Sequence, residues 1–560
     1  MARTVAIGIQ DFGKLMEHGY FYVDKTAFIK EWWESGDDVT LIMRPRRFGK
    51  TLNMSMLDYF FSIAHAGRDS LFEGLSIWRE EAYRRMQGTY PVISLSLADV
   101  KAADHMQAFV RISQILADLY VQHYYLLESG ILTEPEKAFF RRVTDRMDRL
   151  DAVVALKRLS AFLSRYYDKK VLIFLDEYDT PMQEAYVYGY WNELSDFMKS
   201  MFHATFKTNP WLDRAVITGI TRVSKESLFS DLNNLEVVSM TSAKYATAFG
   251  FTEAEVFEGL SEYGIGQKEE VKLWYDGFTF GEWTDIYNPW SVINLLKKKR
   301  FDSYWANTSS NSLAGKLVKE GTPEVKMVME ELLQGKTVRV VLDEYIVFEQ
   351  LSENTSAIWS LLLAAGYLRV EGYQMDAKSP KSEYELKLTN LEVRLLFEKL
   401  IRGWFMDHIP SYQTFIKAML LHDIKAMNTY MNKVVLATFS YFDTGNRPSA
   451  EAEPERFYHG FVLGLMVDLA EQYIITSNRE SGFGRYDVML EPRDPAHDAF
   501  ILEFKVHDPD EEKTLSDTVA QALRQIADQR YAQALEEKGI KRERIWCYGF
   551  AFAGKKVLIG

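Results

Sequence analysis

The sequence predicts an α/β chain of more than one domain, with a parallel sheet near the N-terminal end, a largely helical middle and a second sheet-based domain at the C-terminal end. Three stretches predict it. The apolar run Val39–Met43 is followed by a basic turn, Arg44-Pro45-Arg46-Arg47-Phe48-Gly49-Lys50-Thr51, and then by helix-compatible residues to Phe61. Val171–Leu175 is an unbroken apolar run without alternation, as expected of a strand covered on both faces. Near the other end, two β-rich runs, 482–490 and 499–506, flank a polar turn and read as a hairpin.

Composition narrows the class of protein. A chain of 560 residues exceeds what one hydrophobic core usually supports, so several domains are expected. Hydrophobic content of 47% and charged content of 26% are those of a folded soluble protein. A net charge of -13 excludes nucleic-acid binding by bulk electrostatics, so any such contact has to come from local basic clusters. Cys547 stands alone, which rules out an internal disulfide framework and a cysteine-based zinc site. The first ten residues carry no signal-peptide pattern, and no apolar run approaches the ~20 residues that span a bilayer. A cytoplasmic location and no membrane association are therefore expected.

The first stretch has the layout of a phosphate-binding loop, in which successive backbone N–H groups and a helix N-terminus cradle an anion. Lys50 would reach the β- and γ-phosphates, and the Thr51 hydroxyl would hold Mg²⁺. Arg46, Arg47 and Gly49 complete the candidate nucleotide-binding set. Arg44 stands where the GxxxxGK[ST] pattern has its first glycine, and arginine adopts positive φ less cheaply than glycine. A basic turn preceding a helix is the competing reading.

Upstream, residues 20–26 lead into a capped helix starting at Ala27, with Asp24 or Thr26 near its start. Downstream, Tyr90 to Leu97 reads as a strand, and helices follow over 109–126 and much of 134–167. The strand Val171–Leu175 ends in Asp176-Glu177-Tyr178-Asp179. A buried strand that delivers one carboxylate to Mg²⁺ and a second to the attacking water is a Walker B element, here Asp176 and Glu177 at the strand's C-terminal end. An acidic turn after a core strand is the alternative. A third strand, Ala215–Gly219, runs into Thr221-Arg222. Thr218 and Arg222 are candidates for sensing the γ-phosphate, as a polar residue at that place does in P-loop ATPases with an additional strand. A turn hydrogen bond or a surface charge would explain either equally well.

From 251 to about 400 the pattern is mostly helical. A helix over 357–365 followed by Gly366–Val370, a polar turn and Tyr384–Leu388 is winged-helix-like, a unit that contacts DNA in some settings and only packs domains in others. The basic run 297–300 reads as a solvated helix end. Helices fill 391–442, and 445–454 reads as an exposed boundary. In the C-terminal hairpin, period two places Glu503 and Lys505 on one face and Leu502, Phe504 and Val506 on the other. Asp487 on the first strand can project to the same place. Two carboxylates that hold Mg²⁺ and a lysine that orients water suit phosphodiester hydrolysis. A cross-strand ion pair is the competing reading. A helix over 515–535 carries Gln521, Gln525 and Tyr531 beside it or toward solvent.

Taken together, Tyr22-Val-Asp-Lys-Thr26, the Arg44–Thr51 loop, Leu175–Asp179, Thr218–Ser224, Trp305–Thr308, Tyr458–Phe461 and Asp487 with Glu503-Phe504-Lys505 span almost the whole chain. In this combination the chain resembles a bacterial family that joins an AAA-ATPase-like domain to a PD-(D/E)XK nuclease-superfamily domain. Arg44 in the loop is usual in that family. The resemblance implies a P-loop NTPase fold with a parallel sheet and a restriction-endonuclease-like C-terminal domain. It implies ATP at Lys50 and Thr51, Mg²⁺ on Asp176, and Glu177 as the base. In the C-terminal site it implies metal on Asp487 and Glu503, catalysis by Lys505, and Glu455 as a further acid. The expected division is about 1–250 for the ATPase, 251–400 for the winged-helix-like middle, 401–445 for a helical connector and 446–560 for the nuclease-like domain. ATP and nucleic acid are the expected partners, and self-association is open. A nucleotide switch or a scaffold without cleavage is the alternative function.

Overall fold

The computed structural model describes residues 2–221, 228–229, 232–306, 312–342, 355–375, 382–403, 409–442, 452–479, 486–509, 511–528, 531–553 and 556–560. The chain forms two compact units. One comprises Met1–Ser309 with Thr337–Val393, the other Ser310–Lys336 with Arg394–Gly560.

The first unit is organised around five strands: β1 (Val39–Met43), β2 (Val92–Ser96), β3 (Val171–Asp176), β4 (Leu212–Gly219) and β5 (Leu235–Val238), in the order β2-β3-β4-β1-β5. Every pairing among them is parallel. β1 and β3 are buried at each position, as their unbroken apolar runs require of strands covered on both faces. One of the flanking cores gathers Trp32, Phe60, Phe61 and Phe174. Because β4 lies between β3 and β1, the ends of all three reach the same edge, with Ile42 across from Thr218 and Leu175 across from Ile217.

Three further short strands follow: β6 (Phe251–Thr252), β7 (Phe278–Phe280) and β8 (Trp283–Tyr287), an antiparallel sheet ordered β6-β8-β7. The sequence pattern reads as helical here because β8 is exposed at its first three positions and buried at the next two, which gives no alternation to detect. The helix Thr355–Ala364 and the antiparallel strands β10 (Leu368–Met375) and β11 (Ser382–Leu388) form the winged-helix-like element, with β9 (Val338–Val341) added along β11. Positions 376–381, the expected turn, lie outside the described residues.

The second unit holds a mixed sheet, β12 (Tyr473–Arg479), β13 (Tyr486–Pro492), β14 (Ala499–Val506), β15 (Ile545–Ala553) and β16 (Lys556–Ile559), in sequence order. All its pairings are antiparallel except β14 with β15. One face carries Val488, Leu490, Phe500, Leu502 and Phe504 into a core with Phe415, Met431 and Phe461. The other packs Ala499 and Ile501 against Ile526 and Leu535. The expected single helix over 515–535 is two, Leu515–Asp528 and Tyr531–Glu537.

Candidate functional sites

The helix Lys50–Phe61 begins immediately after a left-handed residue, Gly49, with φ of 82°. Arg47 is also left-handed at 65°, whereas Arg44 is not among the residues with positive φ. The loop therefore turns at Arg47 and Gly49 and asks for no glycine at position 44. Arg44 is instead a structural cation. It is fully buried, and its guanidinium donates to the carbonyls of Met43 (2.9 Å), Ser239 (2.8 Å) and Lys244 (3.1 Å). It also lies over the Phe280 ring, 4.2 Å from the centroid. Burial pulls its pKa down to about 9, and the carbonyls are what hold the charged form in place.

Lys50 is a different kind of cation. Its ammonium rests on the loop carbonyls of Arg44 and Pro45, at 2.9 and 3.0 Å. Burial lowers its pKa, opposed by Glu177, Asp176 and Asp179. The neighbouring Thr51 hydroxyl donates to Asp176 Oδ2 at 2.6 Å, and the Thr218 hydroxyl donates to Asp176 Oδ1. Asp176 is thus gripped on both oxygens at the mouth of the parallel sheet. Its pKa is raised, mainly by burial, against the pull of those two hydroxyls. Glu177 has φ of 51°, and its backbone N–H donates to Thr218 Oγ1 at 3.3 Å. Its carboxylate accepts from the Thr180 hydroxyl at 3.2 Å.

Two sets of residues escape the sequence reading. Asp179 is buried and accepts at Oδ2 from the backbone of Ile220 (2.9 Å) and Thr221 (3.0 Å) and from the Thr221 hydroxyl (3.0 Å). It ties the turn after β4 to the turn after β3, and its place three residues past Asp176 was the available signal. Arg222 lies outside the described residues. The second set holds the loop from behind. The Arg46 carbonyl accepts from the Trp305 indole (3.0 Å) and the Asn288 amide (3.3 Å), while its guanidinium donates to Gln183 (3.0 Å). Arg47 lies over Trp290, 4.6 Å from the ring centroid. Trp305 is in turn fixed through its backbone N–H by buried Glu392 at 2.6 Å, which also accepts from Ser291 at 2.9 Å. Burial lifts Glu392 to about 7. Phe48 packs edge-on against Phe278 and Phe280 of the small sheet, with centroids 4.7 and 5.6 Å apart.

In the second unit, strand register sets Asp487 directly across from Glu503, and Glu503 in turn beside Gly549. A Cβ at Gly549 would come within 2.9 Å of the Val519 carbonyl, so the missing side chain lets helix Leu515–Asp528 approach the sheet beside Glu503. Glu503 is fully buried. Lys505 Nζ donates to Gln521 on that helix at 3.1 Å. The side chains of Asp487, Glu455 and Tyr531 are outside the described set. A further buried polar group sits in the same unit, where His459 Nδ1 lies 3.4 Å from Glu330 and Ser477 donates to Glu330 at 2.7 Å.

Comparison with known proteins agrees with this geometry. Residues 6–229 match a family model described as a predicted AAA-ATPase, and residues 453–560 match one described as the PD-(D/E)XK nuclease superfamily. A protein of Azotobacter chroococcum mcd 1, described as "Uncharacterized protein in vnfD 5'region", is 26% identical over 557 residues. That similarity covers 96% of this chain and 94% of the relative. No described helix is long and apolar enough to cross a membrane.

Proposed function

We propose that this chain, which joins a predicted AAA-ATPase domain to a PD-(D/E)XK nuclease-superfamily domain, is an ATP-regulated, metal-dependent nuclease. The observation that carries the first half is the grip of Thr51 and Thr218 on Asp176 beside a lysine that donates to loop carbonyls. These residues fit a nucleotide with Mg²⁺. The left-handed turns at Arg47 and Gly49 shape an anion nest, Lys50 supplies a desolvated positive charge, and Asp176 with Thr51 supplies hard oxygen ligands. When bound, the metal would neutralise phosphate charge. Lys50 would exchange its two carbonyl partners for phosphate oxygens, and Arg46 and Arg47 would flank the same loop. Glu177 would accept a proton from water, held in orientation by Thr180 and by its backbone bond to Thr218. Thr218 and Arg222 would read the distal phosphate.

In the C-terminal domain, Asp487 and Glu503 would hold Mg²⁺, and Lys505, steered by Gln521, would orient the attacking water. The substrate would be nucleic acid, met through local basic groups given the charge of -13. The site of action would be the cytoplasm.

Two titrations test the reading. Lys50→Ala should weaken ATP binding measured by calorimetry by roughly 100-fold, and Glu503→Ala should abolish Mg²⁺- or Mn²⁺-dependent cleavage. Unchanged ATP affinity in the first, or surviving cleavage in the second, would overturn the corresponding half. The full burial of Glu503 favours one competing function, a nucleotide-dependent switch whose C-terminal domain binds nucleic acid or protein without cutting. ATP binding by a chain that cleaves nothing with either metal would select it.

A further inference from the structure

The small sheet behind the phosphate loop gathers three carboxylates from three separate segments. Glu253 opens the helix Glu253–Glu262 directly after β6. Asp276 ends the helix Lys268–Tyr275 just before β7. Asp285 sits within β8 in a left-handed conformation, with φ of 56°. One oxygen from each lies within 4.8 Å of the others. Ligands around one hard cation at the ~2.4 Å typical of Ca²⁺ are at most about twice that distance apart, so the three oxygens fit a single coordination sphere.

A second observation separates this group from an ordinary acidic patch. Asp276 is 8% exposed, it faces the other two carboxylates, and its Oδ1 is buried without a hydrogen-bond partner. An uncompensated buried oxygen of this kind is costly. Burial, joined by repulsion from Asp285, outweighs the bond from Gly277 N–H and pushes the Asp276 carboxyl up to about 7. Glu253 and Asp285 are partly exposed, leaving the cluster a path to solvent. Lys272 is the counter-charge present. Its ammonium pairs with Glu253 and lies 3.7 Å from Asp285. With Asp276 ionised, one ammonium among the described residues would face three carboxylates, and a divalent ion would balance the two remaining negative charges by displacing the Asp276 proton.

We propose that Glu253, Asp276 and Asp285 bind a divalent, oxygen-preferring cation of the Ca²⁺ class that clips helix, turn and strand together. The clip has a structural task. β7 supplies Phe278 and Phe280 to Phe48 of the phosphate loop, and Gly281 N–H donates to the Met240 carbonyl near Ser239, a partner of Arg44. Fixing Asp276 to β8 would hold that backing in place. Lys272 competes with the ion for two of its three ligands.

Terbium luminescence excited through tryptophan and displaced by Ca²⁺ tests the site on the full chain without nucleotide. Asp285→Asn and Glu253→Gln should each weaken Tb³⁺ binding by roughly tenfold or more, since even residues supporting a ligand commonly have effects of that size. Asn tolerates the left-handed backbone at 285, so the first variant should fold. Lys272→Ala should tighten binding by removing the competing ammonium. The proposal fails if both carboxylate variants bind Tb³⁺ as the native chain does, or if Lys272→Ala weakens binding. It also fails if the signal survives those variants and disappears in Asp176→Asn or Glu503→Gln, which would put the ion at one of the other two sites.

Discussion

At the phosphate loop the chemistry is local, and at the C-terminal sheet it is not. Eight consecutive residues, Arg44 to Thr51, provide the turn, the cation and the hydroxyl, and the strand ends of a parallel sheet bring Asp176 and Thr218 to them. The C-terminal group depends on register: Asp487 stands across from Glu503 only because β13 and β14 pair as they do, and a slip by one residue would undo that pairing. A site written in contiguous backbone keeps its turn and its cation within one short segment. A site written in register depends on every strand that sets the pairing. Within the loop the same contrast recurs on a smaller scale, between Arg44, locked by three carbonyls and a ring, and Lys50, held by two carbonyls at the loop itself.

The sharpest way to break the comparison is to restore the glycine that the general loop pattern expects. Arg44→Gly should destabilise the protein by roughly 3–5 kcal/mol, because it leaves buried carbonyls unpaired and a cavity beside Phe280. Urea denaturation would measure it, and a neutral or stabilising result would mean that position 44 serves the nucleotide and not the fold. Lys50→Ala should show the opposite profile. ATP affinity should fall by about 3 kcal/mol, or roughly 100-fold, for two charge-assisted bonds lost, with a smaller change in the urea midpoint than at position 44.

The loop's rear support makes stability depend on pH. Glu392 has its folded pKa raised to about 7 by burial, so between its unfolded value and 7 it carries more protons folded than unfolded. Stability should therefore be fullest below the unfolded value and fall as pH rises through that window, by roughly 3 kcal/mol for this group. Asp276, raised to about 7 by the same cause, adds a slope of the same sign. Denaturation at pH 5 and pH 8 should show the loss, and Glu392→Gln should flatten part of it. The smallest expected effect is at Thr218→Val. Losing one hydroxyl from Asp176 and the acceptor for Glu177 N–H should lower ATP turnover by about tenfold, near 1.4 kcal/mol, with affinity little changed.

How much of this was legible follows the same division. Lys50, Thr51 and Asp176 could be read because each chemistry is tied to a residue type at a fixed place beside an apolar strand. The face shared by Glu503 and Lys505 followed from period two alone. Trp305, Asn288 and Glu392 were illegible in their roles, since they act on the Arg46 carbonyl or through a backbone N–H, and a backbone partner leaves no residue signature. The role of Arg44 was equally hidden, because its partners come from residues about two hundred positions away. The strands β6 to β8 were missed because segments of two to five residues are too short to carry a detectable period. Gly549 gave no sign of its value until register set it beside Glu503.

Cleavage of a labelled nucleic acid with Mg²⁺ or Mn²⁺, measured with and without ATP, addresses the central claim most directly when three proteins are run side by side. The native chain should cut and respond to ATP, Lys50→Ala should cut without responding, and Lys505→Ala should not cut. Cleavage that survives in Lys505→Ala, or an ATP response that persists in Lys50→Ala, would contradict the account.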